Sequence, residues 1–372
     1  MTYMFFYRVL SVSYSQGDLT IELVREFNLG GLNLVFKLRK TAAVVLATAM
    51  TIGLSTFAVE AKTTLRLSHL SPPGSDMDNW AKDFASRVSE ASDGRVNLRI
   101  FPASQLGDWE EVYEQLSQGS VDLAIQSIST KFDSRLSLTW FPYTAVDYDS
   151  AKDAWNNGGF LFNIVNDLVK PQQIQVLAPY ANGLGGLAVG KPVDDPKDPN
   201  ADHSELKIRV WPSGVGTHKP LLERLGYSTT TMPWAELYTG VQTGVIDGMV
   251  GGVPENAVRD WNGVVDTWLQ INDHFEINWL LSSAFSMAQL PEEDAAVLNE
   301  IAAQMATERF NAVEEADNRY LEELSKNGVT VVTYSRDEIE NMAKAVRVDA
   351  WPKMKDQIGD ELYELLESRY SN

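Results

Sequence analysis

A 14-residue pattern that occurs twice constrains the fold of this chain more than any other sequence feature. Positions 109–122 read Trp-x-Glu-Val-Tyr-x-x-Leu-x-x-Gly-x-Val-Asp, and positions 234–247 read Trp-x-Glu-Leu-Tyr-x-x-Val-x-x-Gly-x-Ile-Asp. Each copy is typical of a helix that Gly closes at its C-terminus, followed by a strand. One such unit in each half predicts two similarly built α/β lobes, although a generic helix–Gly–strand solution would give the same pattern.

Strand and helix patterns alternate along residues 62–250, as expected for α/β lobes. In open α/β sheets, ligands bind beyond the C-terminal ends of the strands, so Trp109 and Trp234 are expected to face one cleft between the lobes.

The segment Glu292–Asn327 lacks Pro and Gly and has helical apolar spacing. Such a helix would be about 54 Å long, which is enough to span both lobes. The strands are predicted at Thr64–Ser68, Val96–Phe101, Val121–Ile125, Ile174–Leu177, Ala188–Val189, Leu206–Val210, Val245–Val250 and Val329–Thr333.

Composition excludes several classes of protein. The 372 residues suffice for about two domains, and 31 basic against 51 acidic residues give a net charge of −20. A nucleic-acid binder needs a basic face to displace counterions, so we expect no nucleic-acid partner. The chain contains no Cys, which excludes thiol nucleophiles, iron–sulfur clusters and disulfide scaffolds.

Residues 37–61 have the features of a secretory signal peptide: basic residues, then an apolar run, then small residues before a cleavage site. A membrane anchor is the alternative, but the apolar run is at the short edge of a bilayer span. Because a signal peptide begins near its basic residues, we interpret residues 1–36 as a mis-annotated upstream extension. Translation would then start at Leu32, Leu34 or Val35, and the mature protein would be periplasmic.

Patterns for catalysis and metal binding are poor. The four histidines never fall within metal-ligand spacing, and neither a nucleophile elbow nor a Walker loop is present. We therefore expect no metal, no cofactor and no enzymatic activity, although a pair of cleft carboxylates as in glycosidases stays open. The acidic segment 192–205 is interpreted as a solvated loop, with a calcium loop as the weaker alternative.

Arg209 is the residue that stands out. It lies near the end of a predicted strand, where Lys207, Arg209 and Trp211 share one face. A guanidinium in this position can clamp a carboxylate with two hydrogen bonds. The alternative is an exposed strand charge without a ligand.

Three ordered motifs carry a family resemblance. They are Leu206-Lys207-Ile208-Arg209-Val210, Met232-Pro233-Trp234-Ala235-Glu236-Leu237-Tyr238 and Gln242-Thr243-Gly244-Val245-Ile246-Asp247-Gly248, preceded by Phe101-Pro102-Ala103-Ser104-Gln105-Leu106-Gly107. Residues 62–372 thereby resemble the DctP-like solute-binding proteins of tripartite ATP-independent periplasmic (TRAP) transporters. The resemblance implies a two-lobe α/β periplasmic binding protein fold with hinge strands and one long helix spanning both lobes. Lobe I would comprise 62–186 plus about 275–314, and lobe II about 187–274 plus 315–372.

The resemblance also implies the binding residues. Arg209 matches the family arginine that pairs with the ligand carboxylate, and Trp234, Trp109 and Gln126 match pocket positions. The predicted set is completed by Trp211, Asn182 and Glu255.

The chain departs from the family pattern at two places. Asn182-Gly183-Leu184-Gly185 stands where many members have Asn-Gly-x-Arg, and Met249-Val250-Gly251-Gly252 replaces Gln-Glu-Asn-Pro, with Glu255 or Asn256 as possible substitutes for the asparagine. These losses disfavour a sialic acid or a C4-dicarboxylate. We expect a monocarboxylate with an apolar, aromatic or cationic remainder, the last bound by cation–π contact.

The predicted function is a monomeric periplasmic receptor that captures a small organic acid and delivers it to the small and large membrane subunits of a TRAP permease. Two alternatives stay open. One is a secreted hydrolase that uses cleft carboxylates, and the other is a ligand sensor for a membrane receptor.

Overall fold

The computed structural model describes residues 7–15, 18–29, 32–41, 62–198 and 200–370. The chain forms two compact units, Met1–Ala61 and Lys62–Asn372. The first contains three antiparallel strands in the order β1-β2-β3, namely β1 (Tyr7–Ser15), β2 (Asp18–Leu29) and β3 (Leu32–Thr41). The basic residues of the predicted signal peptide lie in β3, and its apolar run from residue 42 onward lies outside the described residues.

Two sheets organise the second unit. The first sheet has the order β5-β4-β6-β13-β7, and the second has the order β10-β9-β11-β8-β12-β14. Their strands are β4 (Thr63–His69), β5 (Val96–Phe101), β6 (Leu123–Gln126), β7 (Ile174–Leu184), β8 (Gly186–Val189), β9 (His203–Val210), β10 (Tyr227–Thr231), β11 (Gly248–Gly252), β12 (Thr267–Leu269), β13 (Phe275–Ser283) and β14 (Thr330–Val332).

Helices cover the faces of both sheets. They are α1 (Asp76–Ala91), α2 (Trp109–Ser117), α3 (Tyr148–Trp155), α4 (Phe160–Val169), α5 (Val215–Arg224), α6 (Leu237–Gln242), α7 (Pro254–Arg259), α8 (Ala284–Ala288), α9 (Glu292–Lys326), α10 (Arg336–Asp349), α11 (Trp351–Ile358) and α12 (Asp360–Tyr370). Short 3₁₀ helices lie at Ser134–Trp140, Lys170–Gln172, Pro212–Gly214 and Trp234–Glu236.

The chain crosses between the two sheets at neighbouring points. β7 of the first sheet continues into β8 of the second through Gly185, and β12 of the second leads back to β13 of the first through residues 270–274. The two crossings touch, because the Gly185 amide donates a hydrogen bond to the His274 carbonyl at 2.8 Å. This pair of crossing segments is called the hinge below.

Helix α9 spans both lobes, as the sequence predicts. Its first half places Leu298, Ala302 and Met305 in one apolar core with strands of the first sheet. Near its C-terminus, Leu324 lies in a separate core with Trp268 of the second sheet. The 35-residue length therefore follows from having to bury apolar faces against two sheets in succession.

The internal repeat is also a structural repeat. Gly119 and Gly244 close their helices with φ values of 75° and 72°, a backbone conformation that favours glycine. The aspartate that ends each copy then accepts a hydrogen bond from a backbone amide of the adjacent parallel strand. Asp122 accepts from Arg66 of β4 at 2.8 Å, and Asp247 accepts from Lys207 of β9 at 2.8 Å. The prediction of two similarly built α/β lobes is confirmed.

The sequence did not predict every element. The strands β1 to β3 of the first unit were missed, as were β10, β12 and β13 of the second. Of these, β13 lies between β6 and β7 in the interior of the first sheet and is buried along almost its whole length. Such a strand lacks the alternation of apolar and polar residues that marks half-buried strands. The predicted strands at 121–125 and 245–250 begin later than expected, because the turn after each glycine extends to the aspartate.

Candidate ligand-binding site

Three parallel strands of the second sheet end together and build the candidate site. β9 lies between β10 and β11, both parallel to it, so the C-terminal ends of the three strands meet at one edge. Arg209 lies near the end of β9, Trp211 follows that strand, and Trp234 follows β10. In open α/β sheets this edge is where ligands bind.

Arg209 is buried, with 2% of its surface exposed. Its Nε donates to the Met232 carbonyl at 2.7 Å and its Nη1 donates to the Val250 carbonyl at 3.3 Å. Within the described residues, no carboxylate lies at ion-pair distance from this guanidinium. Burial lowers the pKa of Arg209 to about 10, so the group still carries its charge at neutral pH. The two carbonyls fix the orientation of the guanidinium without neutralising it.

Trp234 lies beside this guanidinium and remains accessible. The Arg209 guanidinium carbon is 5.8 Å from the Trp234 ring centroid, and 42% of Trp234 is exposed. The Trp234 ring also packs against the buried ring of Trp261, with 5.1 Å between the two ring centroids. The structure thus brings together the predicted cation and one predicted aromatic residue.

Trp211 is partly buried in a different environment. Its ring packs edge-on against Trp140 at 5.8 Å and lies 4.5 Å from the His218 ring. Two glycines make room for it, because an added Cβ at Gly214 or Gly251 would lie 2.2 Å or 2.7 Å from the indole. Trp211 therefore connects the end of β9 to the hinge.

The lobe I residues of the predicted set form a second pair. Gln126 ends β6, and its Nε2 donates to the Trp109 carbonyl at 2.8 Å. Trp109 begins α2 directly after Asp108, which caps that helix together with Glu111. The buried amide of Gln126 thus holds the start of α2 at the C-terminal edge of the first sheet.

Asn182 and Glu255 are engaged with neighbouring protein groups. The Asn182 side-chain oxygen accepts from the backbone and side-chain amides of Asn278, at 3.1 and 2.8 Å. Glu255 pairs with Arg259 one turn along α7, and burial raises the pKa of this carboxyl group. Asn256 caps α7 by accepting from the Val253 amide.

A group of titratable residues at the hinge was missed by sequence reasoning. His218 Nε2 and His274 Nδ1 lie 3.2 and 2.7 Å from the same oxygen of Asp273, and His274 Nε2 lies 2.8 Å from Glu276. Burial opposes protonation of His274, but the charge of Asp273 and the hydrogen bonds to both carboxylates outweigh it and raise its pKa to about 10. His218 and His274 lie far apart in the sequence, so no motif could reveal them.

Asp317 of α9 is a second buried carboxylate at the hinge. Its Oδ2 accepts from the Leu184 amide at 3.0 Å and from the Tyr148 hydroxyl at 2.8 Å. Gly183 is required beneath it, because a Cβ there would lie 2.3 Å from Oδ2 and its φ is +151°. Burial raises the pKa of Asp317 to about 7.

Comparison with known proteins places this architecture in a family. The model of bacterial extracellular solute-binding protein family 7 (DctP) matches residues 67–356, and the chain belongs to that family. The C4-dicarboxylate-binding periplasmic protein DctP of Vibrio cholerae is 28% identical over 285 residues, which cover 75% of this chain and 82% of that protein. The ectoine-binding periplasmic protein TeaA of Halomonas elongata is 23% identical over 312 residues, which cover 82% of this chain and 84% of that protein.

Solved structures share the fold. A TRAP periplasmic solute-binding protein from Desulfovibrio salexigens with bound orotic acid aligns with a TM-score of 0.72 at 21% identity, over 83% of this chain and 99% of that one. One from Roseobacter denitrificans with bound L-galactonate aligns with a TM-score of 0.67 at 22% identity, over 83% of this chain and 98% of that one. The predicted two-lobe fold and the resemblance to TRAP solute-binding proteins are confirmed.

Among the residues that the structure describes, no helix is long and apolar enough to cross a bilayer.

Proposed function

We propose that this chain is the periplasmic receptor of a TRAP transporter and binds a small organic acid whose carboxylate pairs with Arg209. The observation that carries the proposal is a buried arginine without a buried acid. Arg209 is 2% exposed, is held by two backbone carbonyls, and has no carboxylate within ion-pair distance among the described residues.

The energetics favour an external anion. Removing a charge from water is costly unless the charge is paired, and carbonyl oxygens compensate only part of that cost. Nη2 of Arg209 makes no hydrogen bond within the described residues, which leaves it available to an incoming oxygen. A carboxylate satisfies a guanidinium through short, charge-assisted bonds. Named ligands of the relatives, C4-dicarboxylates, orotic acid and L-galactonate, all carry a carboxylate.

The surroundings of Arg209 suggest the rest of the ligand. Trp234 offers a partly exposed aromatic face beside the guanidinium, which suits an apolar, planar or cationic group. Gly185 contributes no charge at the position where many relatives have a second arginine. We infer that one carboxylate is recognised and that the remainder of the ligand packs on Trp234.

The hinge supplies the mechanism of capture. The lobes are connected by two crossing segments and by α9, and such proteins close around a ligand by bending at a few connecting residues. A ligand shifts this equilibrium only as far as it binds the closed form better than the open form. Closure would form the surface that the two membrane subunits of the permease recognise.

Calorimetric titration of the full chain with the best ligand from a panel of organic acids tests the proposal. Replacing Arg209 with Lys keeps the charge but removes the fork, so the affinity should fall by about 10- to 100-fold, with the fold intact by circular dichroism.

Arg347→Lys is the matched control. The Arg347 guanidinium donates to the Tyr143 carbonyl at 2.7 Å and also lacks an ion pair among the described residues, but Arg347 is a residue of α10 and not of the strand ends that build the candidate site. Its variant should bind the ligand like the original chain. Equal affinity of Arg209→Lys and the original chain would refute the carboxylate clamp. Steady turnover of the ligand would instead favour an enzyme.

A further inference from the structure

The residues at the hinge form an arrangement that the proposed ligand site does not use. His218 from α5, and Asp273 and His274 from the crossing between β12 and β13, are all at most 1% exposed. One ligand atom from each residue lies within 4.8 Å of those from the other two. Two imidazole rings thus converge on one carboxylate in a buried place.

The outer hydrogen bonds orient the two rings so that their converging nitrogens can exchange their bonds to Asp273 for bonds to an ion. His218 Nδ1 lies 3.0 Å from the Thr217 hydroxyl, which in turn lies 3.2 Å from the Gly214 carbonyl. His274 Nε2 lies 2.8 Å from Glu276. The outer ring nitrogens can therefore keep their protons when an ion displaces the proton that the inner nitrogens share with Asp273, and the lone pairs of His218 Nε2 and His274 Nδ1 then face the ion. Histidines that bind metals are oriented in this way by a carboxylate, a hydroxyl or a carbonyl.

An unused acceptor is present at the same point. Asp273 Oδ1 is buried and has no hydrogen-bond partner among the described residues, although both histidines approach Oδ2. Such an unsatisfied carboxylate oxygen is costly in a protein interior. Gly185 leaves space beside it, because a Cβ there would lie 2.6 Å from Asp273 Oδ1 and 2.6 Å from His274 Nδ1.

We propose that His218, Asp273 and His274 form a binding site for a zinc-class divalent transition metal ion that fastens the hinge. Two imidazole nitrogens and a carboxylate that uses both oxygens supply four donors, the number that zinc prefers. Imidazole favours Zn²⁺, Co²⁺ and Ni²⁺ over Ca²⁺ and Mg²⁺, which require six or more oxygen ligands or octahedral geometry. This site departs from our expectation from the sequence that the chain binds no metal.

The ion would connect three segments. His218 lies on a helix of the second lobe, and the His274 carbonyl already accepts from Gly185 of the other crossing. The Asp273 carbonyl accepts from the Tyr143 amide at 2.7 Å. A metal at this point would hold both crossings and α5 together, at the position about which the lobes bend. The proposal does not depend on the role of Arg209.

The test is metal analysis of the full chain, produced without a metal-binding tag. The protein is unfolded with a chelator, refolded in separate samples with Zn²⁺, Co²⁺, Ni²⁺ or Ca²⁺, and dialysed before mass-spectrometric metal analysis. We expect about one Zn²⁺, Co²⁺ or Ni²⁺ per chain and no retained Ca²⁺. X-ray absorption of the Zn²⁺ form should show nitrogen and oxygen ligands at about 2.0–2.2 Å.

Variants assign the ion to the site. His218→Gln and His274→Gln should lose the retained metal, whereas His203→Gln should keep it, because His203 is buried elsewhere and stacks on Tyr227. Glu276→Gln keeps the three ligands and should weaken metal affinity by about 10- to 100-fold, which gives a readout even if a ligand variant does not fold.

Two results would overturn the proposal. One is a refolded original chain that retains none of the three transition metals. The other is equal metal content in the His218→Gln and His203→Gln variants. Either result would mean that the cluster is only a hydrogen-bonded ion network, and ligand binding by Arg209 would be unaffected.

Discussion

Replacing Asp317 with Asn should stabilise the protein in comparison with the original chain, and this gain in stability should be larger at alkaline pH than at acidic pH. Asp317 is buried on α9, and burial raises its pKa from 3.8 to about 7. A group with a raised pKa holds a proton in the folded state under conditions where the unfolded chain has lost it. Its contribution to the free energy of unfolding therefore falls as the pH rises from about 4 to 7.

The structure sets the size of this effect. Each pKa unit corresponds to about 1.4 kcal/mol, so this group alone should lower the free energy of unfolding by about 2–3 kcal/mol between pH 5 and pH 8. Asn cannot ionise, but its side-chain oxygen can still accept from the Leu184 amide and the Tyr148 hydroxyl, which both bond to a single oxygen of Asp317. The packing around Gly183 is also preserved.

Urea denaturation at pH 5, 6, 7 and 8 measures the difference between the two proteins. The stability of Asp317→Asn relative to the original chain should increase from pH 5 to pH 7 and level off toward pH 8. Tyr148→Phe removes a hydrogen bond that favours the ionised carboxylate, so it should steepen the pH dependence of the original chain. A difference between Asp317→Asn and the original chain that is constant with pH would refute the argument.

Three further substitutions test other parts of the structure. Gly251→Ala places a Cβ 2.7 Å from the Trp211 ring at a φ of +96° and should destabilise the protein by about 2–4 kcal/mol in urea denaturation. Gly244 has a φ of +72° but open space around it, so Gly244→Ala should cost only about 1–2 kcal/mol. Equal costs would contradict the contact with Trp211. Asp122→Ala removes the acceptor for the Arg66 amide and the Ser286 hydroxyl and should cost about 2–3 kcal/mol. Asp247→Ala removes the acceptor for the Lys207 amide and an ion pair with the exposed Lys191, so it should cost less. The reverse order would contradict this hydrogen-bond count. Trp234→Ala should lower ligand affinity by about 10- to 100-fold in calorimetry. It should change the unfolding midpoint little, because the side chain is 42% exposed. Unchanged affinity would mean that Trp234 is not part of the binding site.

The parts of the fold that could be predicted are those with local signals. The repeat at 109–122 and 234–247 was visible because glycine and aspartate have fixed roles at the end of each helix, and both copies use the aspartate in the same way. Helix α9 was visible because it lacks Pro and Gly over its full length. β13 was missed because a strand that is buried in the interior of a sheet has no alternation of polar and apolar residues.

The candidate site, like the fold, could be predicted from the sequence only where a local signal exists. Arg209 stood out at the end of a strand, but only the tertiary structure shows that it is buried and that no acid among the described residues pairs with it. The ligand-binding roles of Trp109, Gln126, Asn182 and Glu255 stay predictions. The cluster of His218, Asp273 and His274 depends on where two crossing segments and a helix meet, and sequence spacing carries no trace of that meeting point.

A thermal-shift comparison of carboxylic acids with their own carboxamides tests the central claim most directly. Each pair has nearly the same shape, so the difference between its two members isolates the charge that Arg209 is proposed to bind. A ligand at a hundredfold excess over its Kd stabilises the folded protein by about 2.7 kcal/mol. We predict that at least one acid raises the unfolding midpoint of the full chain while its amide does not, and that Arg209→Lys reduces the shift from the acid. Equal shifts from an acid and its amide would contradict the account.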